Sequence, residues 1–325
     1  MIRNSIFQRN PRYITLLFVF LATSALLLIA PWESPSLRRI SDYLPTRFRG
    51  GMSLDEFVAR EEANYQQILL DRQEMIRAYG PDPKVIDSWP PGEIYYVLWD
   101  FYIAGFNCPH RIQRVGNLGD GGKWMCGIER LATQRTPCNV YSFGVNEDSS
   151  FEAALLGRAP NCQIWGYDFS VSQWGPQVAH VPELSAKAHF FPYKASSVNK
   201  AYDNPPEYTI DALMAQNGHT FIDILKIDIE QSEFSVLEAF LRPYTLPDGP
   251  VLPVGQMEIE IHAWDADGVF ERFNQWWELL EKAGLRPFWT EANLPKVSHL
   301  KSLPDTAEYS FINVRGRHSL ITDYY

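Results

Sequence analysis

The chain has 325 residues, of which 46% are hydrophobic and 14% aromatic, enough for a sizeable core in one large domain or two ordinary ones. Its formal net charge of −10 argues against a general nucleic-acid binder, because phosphate contacts require clustered lysine and arginine. The four cysteines lack the CxxC spacing of a zinc ribbon. They form one or two disulfides if the body lies in an oxidising compartment, or remain four buried thiols; they are Cys108, Cys126, Cys138 and Cys162.

The N-terminal segment predicts a membrane anchor. Residues 1–12 carry three arginines, and residues 13–30 contain no charged side chain. A helix over 13–30 would span about 27 Å, close to the thickness of a bilayer's hydrocarbon core. Because the arginines precede the span, the positive-inside rule predicts a cytosolic tail and a lumenal body. The sequence thus favours a single-pass type II protein of the Golgi or endoplasmic reticulum, with a cleaved signal peptide as the alternative.

Two further segments precede the body. Residues 31–52 are rich in proline, serine and glycine and predict a linker. Residues 53–80 begin with the capping-box pair Ser53 and Glu56 and predict an amphipathic helix of about 25 residues. This stem helix either packs against the body or forms a homodimer. Residues 81–325 are expected to form the catalytic domain.

Strand-like and helix-like segments alternate from Asn139 onward, as a parallel sheet with crossover helices requires. The pattern predicts an α/β, Rossmann-like, doubly wound fold with seven strands, mostly parallel, and an antiparallel strand at the edge. The predicted strands are Val140–Val145, Gln163–Asp168, Ala188–Tyr193, Ile222–Asp228, Gly255–His262, Arg286–Trp289 and Tyr309–Val314. The predicted helices are Ser150–Leu156, Glu233–Leu241 and Val269–Ala283.

The ends of the first two strands predict a ligand site. Gly144 permits close approach of the backbone to a ligand, and Asn146 follows it in the polar loop. Asp168 ends the next strand, where an acidic side chain can hydrogen-bond ribose hydroxyls; the alternative is a solvent-facing aspartate in a turn.

The following strands predict the catalytic groups. Asp228 and Glu230 end an otherwise apolar strand, where burying two carboxylates for structure alone would be costly. The next strand places His262 at its end, so the three side chains are expected to converge. His262 is the candidate general base for a substrate hydroxyl, or a satisfied structural histidine. The same groups offer ligands for a divalent cation.

These motifs resemble a known family. The segment IDILKIDIEQSEF is similar to the fourth-strand signature of FkbM-type methyltransferases. Together with Gly119–Trp124, VYSFGV, GQMEIEIH and AEYSFINV, it resembles the membrane-anchored methyltransferase-like 24 family from about Cys108 to Arg315. The resemblance implies a class I fold and S-adenosylmethionine as cofactor.

The resemblance also implies roles for individual residues. Gly144 and the loop containing Asn146 would line the methionine part of the cofactor, Asp168 the ribose, and Asp228 the centre of the crevice. The turn formed by Asp120, Gly121, Gly122 and Lys123 would close over the cofactor, with Lys123 facing a carboxylate, or would be an ordinary tight turn. The acceptor would be a glycan or small-molecule hydroxyl.

Two other functions compete with methyl transfer. Asp265-Ala266-Asp267 has the DxD form by which glycosyltransferases bind a metal and a nucleotide sugar. A non-catalytic binding module that keeps the fold is the other alternative.

Overall fold

The computed structural model describes residues 51–80, 84–119, 121–263 and 269–323. The helices in these ranges are α1 (Leu54–Tyr79), α2 (Tyr95–Leu98), α3 (Ile128–Thr133), α4 (Ser150–Arg158), α5 (Pro176–Ala179), α6 (Pro182–Ser185), α7 (Ile210–Asn217), α8 (Glu233–Leu241) and α9 (Val269–Lys282). The strands are β1 (Ile112–Val115), β2 (Lys123–Cys126), β3 (Cys138–Phe143), β4 (Cys162–Tyr167), β5 (Ala188–Phe191), β6 (Lys194–Ala195), β7 (Glu207–Tyr208), β8 (Ile222–Ile227), β9 (Val254–His262), β10 (Leu285–Ala292) and β11 (Thr306–Asn313). Short helical turns also occur at Trp99–Phe101, Arg242–Thr245 and Pro295–His299.

Seven strands form one sheet in the order β10-β11-β9-β8-β3-β4-β5. The strands from β9 to β5 pair in parallel, whereas β11 runs antiparallel to both β9 and β10. The prediction of seven mostly parallel strands is confirmed, and so is the antiparallel pairing of the last two. The antiparallel strand lies one position in from the edge, because the connection from β10 to β11 contains no crossover helix and returns the chain directly beside β10.

Both faces of the sheet are buried. Along β8, Leu225 belongs to one cluster of buried side chains and Ile224 to the other. Since neighbouring residues of a strand point to opposite faces, the two clusters lie on opposite sides of the sheet. The first contains the aromatic face of α9, and the second contains the apolar residues of α4. Because the strands from β9 to β5 are parallel, their carboxyl ends lie together at one edge of the sheet.

The stem helix packs against the domain. Ser53 and Glu56 form the predicted capping box, with the Ser53 hydroxyl accepting from the Glu56 backbone N–H. Tyr65 and Arg72 both donate to Glu281 of α9, at 2.7 Å from the tyrosine hydroxyl and at 3.0 and 2.6 Å from the guanidinium. All three side chains are buried. Packing of the helix on the body is therefore confirmed, while the homodimer stays a prediction.

The cysteines form two disulfides, Cys108–Cys126 and Cys138–Cys162. The second joins the first residues of the neighbouring parallel strands β3 and β4. The alternative of four free thiols is wrong.

Several predicted features lie outside the described residues: the tail at 1–12, the span at 13–30, the linker up to residue 50, Asp120, and the DxD triplet at 265–267. Among the helices that the structure describes, none has the length and apolar character needed to cross a bilayer. The membrane anchor and the linker stay predictions.

Candidate functional site

A cavity of about 320 Å³ opens at the carboxyl ends of the parallel strands. Open α/β sheets bind ligands at this edge. Its walls include the predicted residues Gly144, Asn146, Asp168, Asp228 and Glu230. The remaining lining residues are Tyr167, Phe169, Ser170, Tyr193, Lys194, Ala195, Ile229, Ser232 and Glu260.

Gly144 directly follows β3 and lies against the backbone of Asp228, which directly follows β8. Its φ is +75°, and a Cβ at this position would overlap the backbone carbonyl of Asp228. The Asp228 N–H donates to the Phe143 carbonyl at 3.1 Å, and the Lys226 ammonium donates to the Gly144 carbonyl. Only glycine fits this backbone, because it has neither a Cβ nor a penalty for the left-handed conformation.

Asp168 ties together the two loops that border the cavity. Its carboxylate accepts from the Asn146 N–H at 2.8 Å and from the Ser170 N–H and hydroxyl at 2.7 and 2.6 Å. The side chain is buried, so the alternative of a solvent-facing aspartate is wrong. A carboxylate has roughly four acceptor positions, and these described donors use three of them. One position is left for a ligand hydroxyl.

Asp228, Glu260 and His262 converge at the carboxyl ends of β8 and β9. Each offers a ligand atom, and these atoms lie within 4.8 Å of one another. The sequence predicted Glu230 in this trio, but its side chain is 69% exposed and lies with Oε2 3.6 Å from His262 Nε2. Glu260 takes the interior position because the twofold periodicity of β9 places it on the same face as His262. The group could hold a divalent cation, which stays a prediction.

The two carboxylates of this cluster have pKa values shifted in opposite directions. Burial acts to raise the pKa of Asp228, but the Lys123 and Lys226 ammonium groups outweigh it and hold that pKa below its ordinary value. Burial and the nearby Asp228 and Glu308 carboxylates raise the pKa of Glu260 to about 7. Two carboxylates at one site thus favour different protonation states near neutral pH.

Lys123 contributes a buried positive charge beside the cluster. It is 3% exposed and forms ion pairs with Glu308 and, at 3.7 Å, with Asp228. Burial alone would lower its pKa, but these carboxylates raise it well above its usual range. The ammonium group is therefore held as a cation inside the protein.

The described residues of the predicted glycine-rich turn are not among those that line the cavity; they are Gly121, Gly122 and Lys123. A Cβ on Gly121 would overlap the Asp148 carboxylate, and one on Gly122 would overlap the Asn117 carbonyl. Both glycines lie in the connection between β1 and β2, and closure of this turn over the cofactor stays a prediction.

Glu233 is the site residue that the sequence reasoning missed. Its Oε1 accepts from the His262 backbone N–H at 2.8 Å and lies 2.7 Å from His262 Nδ1. Glu233 is fully buried. With the ring hydrogen on Nδ1, this contact directs Nε2 toward Asp228 and Glu260, as in other carboxylate–histidine pairs. The available signal was a glutamate at the first position of the largely apolar helix EFSVLEAF.

The same contact changes the basicity of the imidazole. Burial acts to lower the pKa of His262, but the hydrogen bond and charge of Glu233, with the Glu260 and Asp228 carboxylates, raise it above its ordinary value. His262 is thus an oriented base whose protonated form is stabilised.

Comparisons with known proteins identify the family. A sequence model described as "Methyltransferase domain" matches residues 69–312. The chain is 27% identical over 175 residues to the rat protein named "Probable methyltransferase-like protein 24", covering 49% of this chain and 44% of that protein. Its human counterpart is 27% identical over 169 residues, covering 46% and 41%. The chain thus matches less than half the length of these curated relatives.

Solved structures give weaker similarities. The fibrillarin pre-rRNA processing protein of Methanococcus jannaschii has 12% identity and a TM-score of 0.36, over 71% of this chain and 76% of its own. A putative O-methyltransferase from Nostoc punctiforme has 12% identity and a TM-score of 0.31, over 57% and 55%.

The sequence matches confirm the resemblance inferred from the strand motifs. They give no support to the glycosyltransferase alternative. Since the family model spans most of its length, the chain belongs to the methyltransferase domain family.

Proposed function

We propose that the chain is an S-adenosylmethionine-dependent O-methyltransferase that holds its cofactor in the 320 Å³ cavity. The observation that carries the proposal is the meeting of Gly144, Asp168 and Asp228 in one cavity at the carboxyl ends of β3, β4 and β8. The family relation makes methyl transfer the reaction to test.

The cavity fits this cofactor in three respects. The remaining acceptor position of Asp168 suits a ribose hydroxyl. Phe169 is 54% exposed beside it and offers a ring face for an adenine base. Asp228 and Glu230 supply negative charge for a sulfonium and an amino group.

The chain's own residues would position the acceptor and remove its proton. S-adenosylmethionine supplies a methyl group already activated by a sulfonium, so positioning and deprotonation are what the protein must add. His262 Nε2 is placed to take a hydroxyl proton, and Glu233 stabilises the resulting imidazolium. Asp228 stays ionised beside it.

The proposed setting is the lumen of the secretory pathway, with a glycan or small-molecule hydroxyl as acceptor. The two disulfides support an oxidising compartment. The uncharged segment at 13–30 and the arginines before it support a type II anchor, followed by the linker at 31–52 and the stem helix at 53–80.

Calorimetric titration of the full chain with S-adenosylhomocysteine tests the proposal. We expect binding by the wild type and at least tenfold weaker binding by Asp168→Ala, because a charge-assisted hydrogen bond contributes about 1.5–3 kcal/mol. Asp248→Ala removes the same charge at an exposed position and serves as the matched control. Asp168→Asn, which keeps the shape of the side chain, separates loss of the ligand contact from loss of the loop structure. Absence of binding by the wild type would overturn the proposal.

A further inference from the structure

A second and larger cavity lies directly beside the first. It encloses about 780 Å³ in a groove between α8 and α9, within the range of about 300–1,000 Å³ that holds small ligands. Its apolar floor consists of Phe234, Phe273, Trp276, Val269 and Leu279. Its rim is polar and includes Gln231, Glu238, Arg272, Gln275, Glu278 and Lys282.

The two cavities meet at the ends of β8 and β9. After β8, Glu230 and Ser232 line the smaller cavity, while Gln231 lines the groove. On β9, Glu260 lines the smaller cavity, while His262 lines the groove. At the end of each strand, a residue that lines one cavity is therefore no more than two positions from a residue that lines the other.

His262 lies at this boundary. Its imidazole lines the groove, and its Nε2 lies 3.6 Å from the Glu230 carboxylate, which belongs to the wall of the smaller cavity. In methyl transfer, the acceptor oxygen must face the donor, and the base must lie beside that oxygen to take its proton. His262 lines the groove at its border with the donor cavity, so it can contact a hydroxyl held in the groove.

The groove also restricts the chemistry of its ligand. Two cations, Arg272 and Lys282, face two anions, Glu238 and Glu278, so the rim has no net preference for a charged ligand. The centroid of the Phe234 ring lies 4.6 Å from that of the buried Trp276 ring, which packs against it. Phe234 is partly exposed, so its ring forms a platform in the groove. The amides of Gln231 and Gln275 offer both donors and acceptors around this platform. An apolar ring face surrounded by groups that bind hydroxyls suits a pyranose.

We propose that this groove binds the methyl acceptor and that the acceptor is a neutral saccharide, one ring of which packs on Phe234. The inference rests on the proposed function and adds the acceptor site and its class. In the transfer, the C–S bond of the sulfonium breaks, a C–O bond forms at a sugar hydroxyl, and the hydroxyl proton moves to His262 Nε2. The products are a neutral thioether, a neutral ether and the His262 imidazolium, which now carries the positive charge that the sulfonium had.

Binding of the full chain to an array of neutral oligosaccharides, ending in mannose, galactose, glucose or N-acetylglucosamine, tests this in the presence of saturating S-adenosylhomocysteine. We expect the wild type to bind at least one terminal class and Phe234→Ala to lower that affinity at least tenfold. Gln275→Ala, at an exposed rim position, is expected to lower it less. Tyr202→Ala removes a fully exposed aromatic side chain elsewhere and is expected to change nothing.

Titration of the same proteins with S-adenosylhomocysteine separates the two proposals. Saccharide binding that survives both Phe234→Ala and Gln275→Ala overturns the acceptor site. Binding of S-adenosylhomocysteine without binding of any saccharide overturns the acceptor class and leaves the proposed function intact. Failure to bind S-adenosylhomocysteine overturns the proposed function itself.

Discussion

Replacing Gly144 by alanine should open the site by forcing two strands apart. The left-handed φ of +75° costs a non-glycine residue about 1–2 kcal/mol. The new methyl group would overlap the Asp228 carbonyl, which belongs to backbone and cannot rotate away. Relief of that overlap strains two 3.1 Å hydrogen bonds, from the Gly144 N–H to Tyr167 and from the Asp228 N–H to Phe143, each contributing about 1 kcal/mol. We therefore expect Gly144→Ala to lower the free energy of unfolding by about 3–4 kcal/mol.

Urea denaturation measures this loss, and titration with S-adenosylhomocysteine measures the accompanying loss of affinity, expected to exceed tenfold. Gly157→Ala is the matched control, because Gly157 lies in α4 and a methyl group added there would meet no atom within 4 Å. That change should raise stability by up to about 1 kcal/mol through helix propensity. Gly144→Ala with wild-type stability and affinity would refute the close approach of β3 and β8.

Three further predictions concern buried groups. Burial raises the pKa of Glu258 well above its usual range. The stability that depends on its protonated form is therefore present below its unfolded-state pKa and is lost as pH rises. Above pH 5, the free energy of unfolding of Glu258→Gln should rise relative to the wild type by up to about 1.4 kcal/mol per pH unit. Urea denaturation at pH 5 and pH 8 checks this, and a variant whose stability relative to the wild type is lower at pH 8 than at pH 5 contradicts it. Glu233→Gln removes a charge that raises the pKa of His262. The acid limb of the pH–rate profile for S-adenosylhomocysteine release should therefore move to lower pH, by about one unit for a close charge. An unmoved limb shows that His262 is not the base. Changing Cys138 and Cys162 together to serine opens a loop with a sequence separation of 24 and should cost about 3.5 kcal/mol in the chain-entropy account. The loss is measured as a lower Tm, and an unchanged Tm argues against this bridge.

Local patterning was sufficient to predict the framework of the fold. The observed α8 begins and ends at the predicted residues, and all seven predicted strands belong to the central sheet. Apolar runs bounded by turn residues, and apolar faces at helical spacing, depend only on near neighbours in sequence. The ends of β3, β4 and β8 followed from the same signal, which is why Gly144, Asp168 and Asp228 could be assigned to one edge.

The contacts of the site residues could not be predicted from local sequence patterns. Lys123 pairs with Glu308 across 185 positions, and Glu233 contacts His262 across 29. Glu260 lies in the interior in place of Glu230, because it is buried on the same face of β9 as His262, whereas the side chain of Glu230 is 69% exposed. The sequence by itself determined which residues end the strands. Only the tertiary structure decided which of them share a buried charge, because electrostatic coupling depends on distance and burial across elements that the chain brings together after folding.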